Sequence, residues 1–243
     1  MKKTISIFCF VFLFSGCATS QMMSVDVAIS EMSKSPENAS QYLDKILANP
    51  VDASGYVLLI GSTTSVKLNR FQDAAYFYYA SEMKMRCEKA LYPPVASAGD
   101  NPLLAAGAIN SNLVYVIQPE IWYRLNDLEH VINRLKEFDL IKFHRGYNPG
   151  WDYKSISDYD SVFSQCVDMR ERYIATFDDI LKMLRLEKYM ALFRKGKEMY
   201  DIPYKDRKDN HKEIRDKIID EMTEMEVSVI GRSKATKYLS GEI

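Results

Sequence analysis

Two long stretches with helical periodicity are separated by only two residues in this chain of 243 residues. Apolar side chains recur at helical spacing over Ala53–Leu68 and again over Phe71–Leu91, and Asn69 and Arg70 form the whole connection. A connection this short forces consecutive helices to lie antiparallel and in contact. The sequence therefore predicts a helical hairpin over 53–91.

The composition extends the helical prediction to the rest of the chain. Gly (10) and Pro (8) are few, whereas Tyr (16), Phe (11) and Met (12) are many, a balance that suits packed helices better than a turn-rich sandwich. With 47% hydrophobic residues the chain can bury a core of its own. We predict an all-α fold, an irregular multi-helix bundle that forms one domain over 25–243 with a charged C-terminal tail.

The segment 103–117 is apolar almost all round, which predicts a central helix covered by others. Gln118-Pro119 is expected to end it, since proline disrupts a helix interior. Periodicity and capping residues predict the remaining helices. These cover 25–33, 35–47, 120–138 and 161–199, and the charged segment 205–226 is expected to lie on the surface or fray.

The hairpin resembles the middle of a tetratricopeptide-type repeat. A turn at Asn69 precedes a second helix in which Ala74, Tyr78 and Ser81 fall where the repeat has alanine, aromatic and small residues. The first helix departs from the pattern, because it lacks the early Trp and has Ser65 in place of an aromatic. No second copy follows at a period of about 34 residues. The resemblance implies a surface that holds a peptide or a helix of a partner.

The start of the chain matches a secretory leader. Lys2 and Lys3 precede the apolar run Ile5–Phe14, and small residues lead from it to Cys17. The run has ten residues, about half of the roughly 20 that a membrane span needs. We therefore expect the leader to be removed.

Leu13–Cys17 resembles the lipobox of bacterial lipoproteins, although Phe14 stands where an aliphatic residue is usual. The resemblance implies that residues 1–16 are cut off, that a diacylglycerol is attached to the Cys17 thiol, and that the new amine is acylated, with palmitate the typical chain. The alternative is an ordinary signal peptide with a chance cysteine.

Residues 17–24 would then tether the domain to a membrane. Ala18 follows the cysteine where a retention signal for the inner membrane has Asp. The lipobox resemblance therefore implies an outer-membrane lipoprotein whose domain faces the periplasm.

The cysteines allow one disulfide bond. Cys9 leaves with the leader and Cys17 carries the lipid, so that Cys87 and Cys166 remain in a compartment where disulfides persist. A bond between them would close a loop of about 80 residues and stabilise the fold by about 4 kcal/mol. The alternative is two separately buried thiols.

The sequence contains no motif that identifies a reaction. The hydrolase elbow and the glycine-rich phosphate and dinucleotide loops are absent. His130, His144 and His211 lie in different segments without a metal-ligand spacing. The carboxylate pairs Asp158/Asp160 and Asp178/Asp179 are ordinary for helix starts and helix surfaces. We predict no catalytic residue, metal or cofactor.

Two groups of aromatic residues are candidates for partner binding. Four consecutive aromatics at Tyr76–Tyr79 are about 100° apart on a helix, so at least one is expected to be exposed, with Tyr76 and Tyr79 as candidates. Tyr147, Trp151 and Tyr153 lie in a turn-rich segment, and Trp and Tyr dominate binding hot spots. The alternatives are a helix buried on two sides and a loop that plugs the core.

Three classes of function remain. Balanced charge, 32 Lys+Arg against 33 Asp+Glu, excludes wholesale electrostatic binding of nucleic acid. Lipobox, size, helical hairpin and missing catalytic motifs resemble lipoprotein immunity proteins of toxin-delivery systems, which implies capture of a periplasmic toxin such as a type VI secretion lipase. The second class is a scaffold or assembly lipoprotein of an envelope or secretion complex. The third, an enzyme with scattered catalytic residues, is disfavoured because recognition needs only surface.

Overall fold

A computed structural model describes residues 23–95, 102–143, 147–207 and 210–231. Within these ranges the secondary structure consists of helices and two isolated β-bridges, which confirms the predicted all-α, multi-helix fold. The nine α-helices are α1 (Val25–Lys34), α2 (Pro36–Ala48), α3 (Gly55–Lys67), α4 (Phe71–Leu91), α5 (Pro102–Trp122), α6 (Leu125–Glu137), α7 (Tyr159–Leu184), α8 (Glu187–Asp201) and α9 (His211–Ile230).

The predicted hairpin is formed by α3 and α4. Asn69 adopts φ 58° directly after the last turn of α3, the left-handed conformation that commonly ends helices. The Ser62 hydroxyl donates to the Ala74 carbonyl over 2.8 Å. A Cβ on Gly55 would lie 2.3 Å from Met85 Cγ and 2.9 Å from the Met85 nitrogen. The start of α3 therefore packs against the end of α4, which requires glycine there.

The folded domain begins two residues earlier than the sequence predicts. Met23, assigned to the tether, is buried, and its amide donates to the Asp52 carbonyl over 3.1 Å. Ser24 stands as the N-cap of α1. Ser35 caps α2 by accepting a hydrogen bond from the Asn38 amide, with Pro36 at the first helical position, as predicted.

Helix α5 differs from its prediction in both extent and position. It continues through Pro119 to Trp122, and the next helix begins after a break at Tyr123 and Arg124. Its buried side chains are confined to a narrow stripe of Ala106, Leu113, Ile117 and Ile121. The helix therefore lies at the periphery of the bundle and is not its centre.

The C-terminal half also differs from its prediction, one long helix over 161–199, straight or kinked. The structure breaks this helix at Arg185 and Leu186 into α7 and α8. The charged segment forms α9, which packs against α7 and α8. Ile218 is buried, and the Tyr189 hydroxyl donates to buried Glu226 over 2.6 Å. The tail therefore forms a helix from His211 to Ile230.

Candidate partner-binding surface

All four aromatics of Tyr76–Tyr79 are buried, so the expectation that one of them is exposed is wrong. Helix α4 is covered by α3, α5, α6 and α7, which is the alternative of a helix buried on more than one side. The Tyr79 hydroxyl accepts a hydrogen bond from Trp122 Nε1 at 2.9 Å. Arg134 stacks over the Tyr76 ring at 4.2 Å. These two candidates hold neighbouring helices rather than offering free surface.

Residues 147–153, which we call the aromatic loop, close one end of the core. Tyr147 and Trp151 are buried, whereas Tyr153 is 44% exposed. The Trp151 indole donates to the Tyr92 carbonyl over 2.9 Å. The loop is pinned to the end of α4 by the bridge between Pro94 and Tyr153. For Tyr147 and Trp151 the structure favours the plug, and only Tyr153 keeps a side chain that a partner can reach.

Replacing Trp151 with Ala is expected to destabilise the fold by about 3 kcal/mol and to leave partner binding unchanged. The physical reason is the cavity left under the loop and the loss of the indole hydrogen bond. Urea unfolding and a binding titration measure the two effects. Tyr153→Ala is the matched control, with an expected loss below about 1 kcal/mol. Weakened binding by W151A at unchanged stability would contradict the plug.

Beneath the loop lies a buried charge cluster, which the sequence analysis missed. Lys84 and Glu88, one turn apart on α4, are both fully buried. Glu88 Oε1 accepts hydrogen bonds from the Gly55 amide at 2.8 Å and from the Tyr147 hydroxyl. Lys84 Nζ donates to the Val51 carbonyl over 2.7 Å. The cluster therefore joins α4, the start of α3 and the aromatic loop.

Burial disfavours the charged forms of both groups. Desolvation lowers the pKa of Lys84 to about 8, although Glu88, Asp52 and Asp139 oppose this shift. Desolvation also raises the pKa of Glu88, against the effects of Lys84, Tyr147 and the Gly55 amide. Since a buried charge is tolerated only with a partner, each group depends on the other. The sequence pattern does not predict such a pair, because charged residues in a helix are ordinarily expected on its solvent-exposed side.

Cys87 and Cys166 are buried free thiols in the structure, where they belong to one small cluster with Leu91 and Ile141. The two thiols are close enough to form a hydrogen bond with each other. This bond and burial raise the pKa of Cys87. The chain thus brings together the two residues of the predicted disulfide. The bond itself stays a prediction.

We expect Cys87 and Cys166 to form a disulfide in protein isolated from an oxidising envelope. Alkylation before reduction should leave both unmodified, and alkylation after reduction should modify both, as read by mass spectrometry. Protein made without the leader in a reducing compartment serves as the control. Two alkylated thiols in unreduced envelope protein would contradict the bond.

The candidate acidic pairs are used in ordinary structural contacts. Asp158 caps α7 by accepting from the Ser161 amide, and Asp178 pairs with Lys136 over 2.7 Å. Among the residues that the structure describes, no group of three or more His, Cys, Asp or Glu side chains is placed to hold a metal ion. His144 and Cys17 lie outside the described residues.

The largest exposure of an apolar side chain in the described residues is on α5. Tyr115 is 77% exposed and Val116 45%. Ala105, Ala108 and Ser111 continue this outward side toward the start of the helix, and all are exposed. We call these five residues, with Gly107 and Asn112, the α5 face.

The α5 face carries no charge and little free hydrogen-bonding capacity. No Asp, Glu, Lys or Arg occurs from Pro102 to Pro119. The Ser111 hydroxyl donates to the Gly107 carbonyl at 2.9 Å, and the Asn112 amide donates to the Ala108 carbonyl at 3.1 Å. Water forms few hydrogen bonds with a surface of this kind, which is therefore suited to contact with another apolar surface.

The same face is open at Gly107. A Cβ built on Gly107 would meet no atom within 4 Å. The small residues of this face, Ala105, Gly107, Ala108 and Ser111, allow another backbone to approach closely. The sequence prediction missed this surface because an apolar helix was expected to be covered within the chain.

No family model matches the chain, and neither a curated protein nor a solved structure is significantly similar to it.

Proposed function

We propose that the protein is a lipid-anchored, non-catalytic binding protein that holds an apolar helix of a second protein against the α5 face. The observation that carries this proposal is a 21-residue helix whose outward side is uncharged from Pro102 to Pro119, in a chain with 27% charged residues. Exposed surface without charge is unusual on a soluble domain and marks interaction sites.

The kind of partner follows from the shape and the chemistry of the face. An extended peptide would need free backbone groups to pair with, and a helix surface offers none. Small residues at Ala105, Ala108 and Ser111 leave room for the backbone of another helix, and Tyr115 provides an anchor beside them. An uncharged, apolar helical face of a partner matches this arrangement.

The lipid anchor is proposed from the lipobox resemblance at Leu13–Cys17. Attachment at Cys17 holds the domain on the periplasmic side of the outer membrane, where a partner entering or assembling in the periplasm is encountered. None of the helices in the described ranges is long and apolar enough to span a membrane.

Within this class we favour an immunity protein. Such a protein neutralises a periplasmic toxin, for example a type VI secretion lipase, by covering about 800 Å² of the toxin with its own surface. Neutralisation needs tight recognition and no chemistry, in keeping with a chain whose motifs identify no reaction. The alternative is a scaffold or assembly lipoprotein of an envelope or secretion complex, which would use the same face for a structural subunit.

The experiment is a pull-down with the soluble domain from Ser20 onward, using envelope proteins that include those encoded beside its gene. Binding of an enzyme whose activity is lost on capture, and restored when Ala108→Arg is used as bait, supports the immunity function. Capture of structural envelope proteins through the same face favours the scaffold. Turnover by the purified domain itself would overturn both.

A further inference from the structure

Four of the ten exposed large hydrophobic residues of the described ranges gather where the chain enters the domain. The end of α4, the aromatic loop and the first turns of α1 meet at this corner. The patch comprises Val25, Ile29, Val95, Tyr153 and Tyr159, of which all but Val25 are exposed by more than a third. We call it the anchor-side patch.

Contacts between the three segments place these residues on one side. A Cβ on Gly150 would lie 3.0 Å from Val25 Cγ2, so the aromatic loop touches α1. Val95 donates its amide to the Asp152 carbonyl over 3.0 Å. The Tyr92 ring lies 5.0 Å from the Tyr153 ring, and its hydroxyl interacts with that of Tyr159.

The length of the chain before the domain limits how far this corner can lie from the lipid. Met23 is held in the fold by the Asp52 carbonyl. Six residue steps separate Met23 from Cys17, and even fully extended they span only about 20 Å. The corner that holds Met23 is therefore the part of the domain nearest to the acyl chains.

We propose that the anchor-side patch rests on the lipid bilayer and fixes the orientation of the domain, an inference that depends on the proposed lipid anchor. Tyrosine rings and neighbouring aliphatic side chains suit the interface between headgroups and acyl chains. The rings of Tyr153 and Tyr159 rest at the headgroup level, and Ile29 and Val95 lie beside them.

The charges around the patch select the lipid. Of the described residues that neighbour the five patch residues in the sequence, four carry a carboxylate and only Lys154 is basic. An acidic rim is repelled by anionic headgroups and is compatible with zwitterionic ones. We therefore expect contact with zwitterionic lipid and a weaker contact with anionic lipid. The carboxylates are Asp26, Asp152, Asp158 and Asp160.

The test uses the mature, acylated protein in phosphatidylcholine vesicles that contain a photoreactive phosphatidylcholine. After illumination, lipid adducts are mapped by mass spectrometry. We expect adducts in α1 and at 147–160, and few in α5. The double variant Ile29→Asp, Tyr153→Asp should lose about tenfold in adducts, because carboxylates are costly in a bilayer. Replacing part of the lipid with phosphatidylglycerol should lower them too.

Val27→Asp is the matched control, because Val27 is 50% exposed on the same helix but stands about 200° round it from Val25. Adducts spread evenly over the domain, or equal losses in both variants, would overturn the patch while leaving the anchor intact. Protein that fails to float with the vesicles and lacks an acyl mass at Cys17 would overturn the anchor itself. Loss of a bound protein rather than of lipid adducts would make the patch a protein interface.

Discussion

Replacing Glu88 with Ala is expected to cost about 4 kcal/mol of folding free energy, because it leaves the Lys84 ammonium buried without the carboxylate that favours its charge most. The variant also removes the acceptor shared by the Gly55 amide and the Tyr147 hydroxyl. The start of α3 and the aromatic loop should both loosen. Urea unfolding at neutral pH measures the loss.

Two further variants separate charge from hydrogen bonding. Glu88→Gln keeps an acceptor for Gly55 and Tyr147 but removes the charge, so we expect a loss of about 2 kcal/mol. The double variant Lys84→Met, Glu88→Gln removes both charges of the pair, and its loss should be smaller than the sum of the two single losses. Strict additivity would show that the two groups do not depend on each other.

The same cluster predicts a pH dependence. The pKa of Lys84 falls from 10.5 to about 8 on folding, so between these two pH values the folded state binds fewer protons than the unfolded chain. The contribution of Lys84 to stability therefore rises with pH from about 8 to 10.5. Glu88 acts oppositely: its raised pKa makes stability fall as pH increases from 4.5 toward the folded value. Between about pH 8 and 10.5 the free energy of unfolding should rise more steeply with pH in the wild type than in Lys84→Met. Equal slopes in the two proteins would contradict the lowered pKa of Lys84.

Replacing Ala108 with Arg is expected to weaken partner binding by about 100-fold, because the guanidinium would be buried without a countercharge in the centre of an apolar contact. The fold should keep its stability, since Ala108 is exposed and Arg is a good helix former. Titration of the purified partner, with urea unfolding in parallel, measures both quantities.

Ala175→Arg is the control for that variant. Ala175 is also an exposed alanine within a helix, but it lies on α7. Helices α5 and α7 pack on α4 and α6 rather than extensively against each other. The affinity of the Ala175→Arg variant for the partner should be unchanged. Equal losses in the two variants would indicate a general effect of added charge and would count against the α5 face.

Elements whose signals are local could be predicted from the sequence. Only two residues connect the two long helical stretches, so helices α3 and α4 have to lie antiparallel, and the structure confirms this hairpin. Ser35 and Pro36 cap α2 as their chemistry requires. In each case the deciding interaction lies within a few residues along the chain.

Helix α5 could not be predicted in this way. Pro119 forfeits the hydrogen bond to the carbonyl of Tyr115, which lies on the outward side of the helix, where water can replace it. Burial of Ile117 and Ile121 on the inward side offsets the remaining cost. Apolar composition also fails to show whether the covering surface belongs to the same chain or to another. The face therefore looked like core.

The aromatic residues show the converse error. A run such as Tyr76–Tyr79 needs an exposed member if the helix packs against a single partner, but four helices surround α4. Likewise, Lys84 and Glu88 look like solvated helix surface until the aromatic loop, more than fifty residues later in the chain, is packed over them. Long-range contacts decide these positions, and no local pattern records them.

The most direct measurement places a photocross-linking amino acid at Gly107, on the α5 face, in the cell that makes the protein. An ideal Cβ there meets no atom within 4 Å, so the probe fits without disturbing the bundle. We predict a cross-link to an apolar helix of one periplasmic protein that is absent with the probe at Ala175 and lost on adding Ala108→Arg. Cross-linking that is equal from Gly107 and Ala175, or that survives Ala108→Arg, would contradict a partner-binding role of this face.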